Sequence, residues 1–136
     1  MPDDEAFVKD YAAKYHNIVY HGILPYEEYL QLLHRITFVL STRNANSPEN
    51  RCNFPSKIIE ALLHNRAVIS TIHYPQLQGI NYFEIPSEVD FFRERFMRIV
   101  QMDDRELAGF INQGELIYNR FNAKVWKDKM EGIENQ

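Results

Sequence analysis

"NFPSKIIEALLHNRAVIST", residues 53–71, decides the fold. Its first part reads as a helix started by Pro55, with Ile58, Ile59, Leu62 and Leu63 at the spacing of one inward face. The "AVIST" that follows is apolar and β-branched without polar alternation, as in a strand covered on both faces. A helix that turns at once into a buried strand suggests a strand–helix–strand unit.

The same alternation extends in both directions. Upstream, "DDEAFVKDYAAKY" (3–15) reads as a helix with acids in its first turn, where the macrodipole favours them. "NIVYHG" (17–22) follows as a short strand ending in Gly22. "LPYEEYLQLLHR" (24–35) is a helix with Pro25 near its first position and Tyr26, Tyr29, Leu30 and Leu33 as its apolar stripe. "ITFVLST" (36–42) is a second buried strand, and the polar loop "RNANSPENRCN" leads back to residue 53. Downstream, "HYPQLQG" is a turn or short helix and "NYFEIP" a last short strand. Ser87 with Asp90 resembles a capping box for a helix carrying Phe91, Phe92, Phe96, Ile99 and Val100. Asp103 or Asp104 caps a long final helix to about residue 131, with Leu107, Phe110, Ile111, Ile117, Phe121 and Val125 on one side. The expectation is one α/β domain over 1–136: a Rossmann-like parallel sheet of about four strands, flanking helices and a long C-terminal helix.

Parallel sheets of this kind bind ligands beyond the carboxyl ends of their strands. Gly22, the loop 41–53, the mouth of the Pro55 helix and the segment after Ser70 all fall at that edge. With Pro55 as first helical residue, Phe54 stands at the N-cap and offers no side-chain oxygen. The amides of Ser56, Lys57 and Ile58 then face outward, where the helix end attracts phosphate. Lys57 adds a positive charge and Ser56 a hydroxyl. Glu60, three residues after Lys57 and four after Ser56, shares their face and suits the hydroxyls of a sugar. Spacing alone equally allows Asn53 as the cap and Lys57 with Glu60 as a solvated ion pair of little energetic weight.

The stretch 53–71 resembles the nucleotide-sugar-binding motif of retaining glycosyltransferases with the GT-B fold, the group-1 glycosyl transferases. In many of these a Phe-Pro-Ser-Lys-type start precedes a helix with a Glu, a small turn and a "pVIs" strand. "NIVYHGILPYEEYLQLLHRITFVLST" is similar to the segment just upstream in that family, and "FNAKVW" resembles part of its closing helix. The likeness covers about residues 17–85 well and the rest loosely. It implies that Glu60 holds the donor's ribose, that the amides around Pro55, Ser56 and Lys57 face its diphosphate, and that the backbone at Gly22 and Ile23 lies against the base. It also implies a partial donor-binding domain, inactive alone, with the acceptor domain and the first strand–helix units of the donor domain outside these residues. The expected partners are a nucleotide sugar and either the missing half or a second copy, with a membrane met only through a lipid-linked acceptor. No cofactor or metal is expected. Many members carry a further Glu eight residues before the counterpart of Glu60. Cys52 stands there, so sugar contact is unassigned and no catalytic residue is named. The competing expectation is a non-catalytic α/β interaction module derived from such a domain.

The totals narrow the classes. The chain has 15 basic and 19 acidic residues, which disfavours broad capture of nucleic acid. One cysteine excludes an internal disulfide and suits a reducing compartment. The acidic start "MPDDEAF" is unlike a signal peptide, and no apolar run approaches the roughly 20 residues of a membrane span. A cytoplasmic location, at most near the inner membrane face, is expected. The five histidines, His16, His21, His34, His64 and His73, show no paired spacing on a shared helix and read as scattered structural or surface residues. Arg43, Arg51, Lys57 and Arg66 form a basic cluster in sequence near the expected site.

Overall fold

A computed structural model describes residues 2–42 and 56–122. The chain divides into two compact units, Met1–Leu32 and Leu33–Gln136.

The first unit is built on α1 (Pro2–Lys14) and the body of α2 (Tyr26–Leu33). Along α1 and just past its end, Phe7, Tyr11 and Tyr15 recur every four residues, and their ring centroids lie 4.9 and 5.7 Å apart in sequence order. The strand expected at 17–22 does not form. A strand is stabilised by burying one face, and here Ile18 and Val19 both remain exposed. The segment instead fastens to α1 through side chains. The Tyr20 hydroxyl donates to Glu5 Oε1 at 3.0 Å, and Lys9 Nζ lies 3.2 Å from the same oxygen. Those bonds from Lys9 and Tyr20 hold the Glu5 carboxyl below its ordinary pKa. Pro25 stands just before α2, its carbonyl accepting from Tyr29 N at 2.9 Å.

The second unit holds the sheet. In chain order it contains β1 (Phe38–Ser41), α3 (Ser56–Leu63), β2 (Ala67–Ser70), a 3-10 turn (Pro75–Leu77), β3 (Phe83–Glu84), α4 (Val89–Val100), α5 (Asp104–Leu107) and α6 (Gly114–Phe121). The strands are parallel in the order β1-β2-β3, three rather than about four. β2 is central, and all four of its residues are buried, as the apolar run predicts. β1 pairs only with β2 among the described residues, so it is an edge and its Leu40 is 45% exposed. The expectation that "ITFVLST" is covered on both faces fails with the missing neighbour.

Alternation along β2 sends side chains to opposite faces. Val68 joins Ile58, Ile59, Ala61 and Leu62 of α3, Ile72, Tyr74, Leu77 and Ile80 of the β2–β3 connection, and Ile117 and Phe121 of α6. Ile69 joins Ile85 and Ile99 on the other face, with Phe38, Phe83, Phe92 and Phe96 packed against them. Helices therefore cover both faces, as the Rossmann-like expectation requires. The inward set differs in detail: Ala61 is wholly buried, whereas Leu63 is exposed, as are Phe91 and Val100 on α4.

Asn65 ends α3 and starts α6. Its φ of 62° is left-handed, with Asn65 N bonded to Leu62 O at 3.0 Å and Arg66 N to Ala61 O at 2.9 Å. That pair of bonds is the Schellman pattern of a helix C-terminus. The Asn65 Oδ1 then accepts from Gly114 N, the first amide of α6, at 2.8 Å. A Cβ on Gly114 would stand 2.5 Å from the Leu63 carbonyl oxygen, so only glycine allows the two helices to meet here.

The single long C-terminal helix is accordingly interrupted. Asp103 does cap, accepting from Glu106 N at 2.8 Å, but α5 ends at Leu107. Asn81 then holds the break open: its Nδ2 donates to Gly109 O at 3.1 Å, and its backbone exchanges two 2.7 Å bonds with the buried Gln113 amide. Helical apolar spacing across 108–113 concealed these polar clamps. The part of the expected helix beyond Asn122, including Val125, lies outside the described residues. At the start of α4 the cap is Glu88, without a side-chain bond, rather than Ser87.

Candidate functional site

Because β1, β2 and β3 run parallel, their last residues form one rim. Ser41, Ser70 and Glu84 are neighbours in register across it. β2 leads into the polar pair Ser70 and Thr71. Thr71 donates to the Ser41 carbonyl through N at 3.0 Å and Oγ1 at 3.4 Å. Ser70 is fully buried, its hydroxyl donating to Ile72 O at 2.8 Å and accepting from Ile72 N at 3.0 Å. Its hydroxyl thus folds the chain out of the sheet and is spent in doing so.

In the parallel β1–α3–β2 unit the start of α3 falls at this same rim. Ser56 and Lys57, its first residues, are exposed, and Glu60 one turn further in is half-buried. The helix is held by Ile58, Ile59 and Leu62 in the core, which fixes the opposite direction for Lys57. No acid lies in its first turn. This mouth has a positive end, a lysine and a hydroxyl, with a carboxylate set back from them. Pro55 lies outside the described residues, as do Cys52, Arg43 and Arg51. Gly22, with φ 68°, and the fully exposed Ile23 belong to the first unit.

Arg66 leaves the expected basic cluster. It precedes β2 and so stands at the amino edge of the sheet, opposite the rim. Its guanidinium donates to the carbonyls of Ile36 at 2.6 Å, His64 at 2.9 Å and His34 at 3.4 Å. Those bonds tie the start of β2 to the approach to β1, a structural role.

The histidines are less scattered than their spacing indicates. His34 Nε2 and His64 Nδ1 are 3.0 Å apart, each just beyond the end of a helix. His73, after β2, places Nδ1 2.7 Å from Glu84 Oε1 at the end of β3. Tyr82 donates to the same oxygen at 3.4 Å and accepts from Tyr74 N at 2.9 Å. Burial, opposed only by the Tyr74 amide, pushes the Tyr82 phenol above its ordinary pKa, so it keeps its proton. Sequence spacing misses this group because its members come from separate segments. The one available signal was position, since His73 follows β2 and Glu84 ends β3.

A second hollow of about 310 Å³ opens where α4 begins, lined by Thr42, Thr71, Ser87 and Arg93 with Val89 and Phe92. No group of three or more metal-ligating side chains occurs among the described residues. No helix among them is long and apolar enough to cross a membrane. Compared with known proteins, the chain matches no family model, no curated protein and no solved structure.

Proposed function

We propose that the second unit binds the nucleoside diphosphate part of a sugar donor, as a portion of a glycosyltransferase. The observation that carries this reading is the mouth of α3: exposed Ser56 and Lys57 at a helix start on the carboxyl rim, with half-buried Glu60 on the same helix. The amides at the helix start and the Lys57 ammonium meet the diphosphate, and the Glu60 carboxylate accepts from the ribose hydroxyls. During transfer, negative charge grows on the departing diphosphate. A fixed lysine and helix end stabilise that charge more than they stabilise the intact donor, which lowers the barrier. No residue is assigned to the acceptor, so binding rather than turnover is the expected property of the 136-residue chain.

Titration with UDP and GDP, followed by backbone amide shifts, tests the reading. Saturable shifts at Ser56–Ile59 with millimolar or tighter affinity, weakened at least about tenfold in Glu60→Ala, are expected. Silence at those amides with both nucleotides sinks it. A second reading, an interaction module without chemistry, is favoured by the exposed Phe7 and Tyr11 on α1 and Tyr15 just after it. It predicts silence toward nucleotides together with a mass that rises with protein concentration.

A further inference from the structure

A cleft of about 520 Å³ lies between the β2–β3 connection and the end of β3, away from the start of α3. Its size is that of small-molecule sites in general. Leu77 and Ile80 contribute apolar wall, and His73, Gln78, Tyr82 and Glu84 the polar groups. Gly79, with φ 83°, turns the wall sharply, and Arg120 Nη1 secures that turn by donating to the Gln78 carbonyl.

The bonds among the polar groups set which atoms donate. An ionised carboxylate only accepts, so the 2.7 Å contact to Glu84 Oε1 requires the proton on His73 Nδ1. In the neutral ring Nε2 is then an acceptor, and the His73 side chain is 71% exposed. Glu84 is 48% exposed, with one oxygen engaged by both His73 and Tyr82. Its second oxygen adds another acceptor. Among the described residues no lysine or arginine lines the cleft, and the Arg120 guanidinium stands behind its wall on the Gln78 carbonyl. Gln78, exposed at the margin, supplies both a donor and an acceptor through its amide. A ligand whose groups both donate and accept uses the whole set, and a hydroxyl does both.

We infer that this cleft binds an uncharged polyhydroxylated ligand of monosaccharide size, with His73 Nε2 and the Glu84 carboxylate accepting from its hydroxyls. The site is separate from the α3 mouth and does not depend on nucleotide binding there. His73 and Glu84 orient each other, so removal of either weakens the grip of both.

The test uses methyl glucoside, methyl galactoside and methyl mannoside, with inorganic phosphate and methylammonium as contrasts. Each is added to about 50 mM, enough to reveal affinities in the millimolar range. Ring nitrogens of His73 and amides of Gln78 and Gly79 are followed by NMR. At least one glycoside is expected to shift them saturably. Both Glu84→Gln and His73→Phe should weaken that binding at least about fivefold, the scale of one hydrogen bond. Glu60→Ala should leave it unchanged, which separates this site from the nucleotide reading. Silence toward all three glycosides, shifts produced by phosphate or methylammonium instead, or indifference to Glu84→Gln overturns the inference. Both variants alter exposed side chains outside the two cores, so loss of binding is not loss of fold.

Discussion

The backbone of Asn65 has φ 62°, a region where a residue with an ordinary Cβ loses about 1–2 kcal/mol. Asparagine tolerates it, and here its side chain also caps α6 through Gly114 N. Two effects therefore meet in one residue, and substitutions separate them. Asn65→Gly keeps the turn and loses only the cap, for about 1 kcal/mol. Asn65→Ala loses the cap and strains the turn, for about 2–3 kcal/mol in all. Asn65→Asp retains an acceptor and places negative charge both at the start of α6 and at the end of α3, opposed dipole effects that offset, so it should stay within about 0.5 kcal/mol of the parent. Urea unfolding of the three variants checks the order Asp, Gly, Ala from most to least stable. An Ala variant no worse than Gly would remove the left-handed turn from the account. The sequence shows a short "HNR" link between a helix and a strand, which is enough to expect a helix end. It does not show that the same asparagine reaches residue 114, because nothing local marks a partner 49 positions away.

Elements were legible where burial was two-sided and illegible where polar contacts decided the outcome. β2 has no solvent face, so composition alone identifies it. The "NIVYHG" segment has similar β-branched composition but no face to bury, and Tyr20 ties it to Glu5 instead. The helical spacing through 104–121 is real on both sides of the break, yet Asn81 and Gln113 bond across it and stop the helix at Leu107. On α3 the apolar spacing put Leu62 and Leu63 together on the inward face, since both are leucine. The structure buries the first completely and leaves the second 37% exposed. Leu62→Ala should then cost about 2–5 kcal/mol, through lost burial and the cavity left behind. Leu63→Ala should cost less than about 1 kcal/mol. Thermal or urea denaturation compares them, and equal losses would mean that α3 is rotated from the orientation that also presents Lys57 and Glu60 outward. Those two residues and Ser56 were legible because one helix carries them all. The His73, Tyr82 and Glu84 group was not, because loops fold it together.

At the scale of the molecule, cohesion is unevenly distributed. No described side chain in residues 5–32 is buried, whereas Leu33–Gln136 contains both hydrophobic clusters. Within the second unit β2 lies between the clusters, so opening its ladder exposes both. Hydrogen exchange reads this difference, since each amide reports the smallest opening that frees it. The amide of Ile69 points toward β1 and shares the direction of Ala67 N and Thr71 N, which bond to Thr37 O and Ser41 O. It should exchange only with unfolding of the second unit. The amides of α1 rest on helical bonds supported by exposed rings and the Glu5–Lys9 pair, worth a few tenths of a kcal/mol per contact. They should exchange at least about a hundredfold faster than Ile69, equivalent to about 2.7 kcal/mol less protection. Added urea should then accelerate Ile69 steeply and α1 little, because α1 opens by local fraying while β2 opens by exposing two cores. Equal protection of α1 and β2, with equal urea dependence, would show one cooperative body and would overturn the division at Leu33.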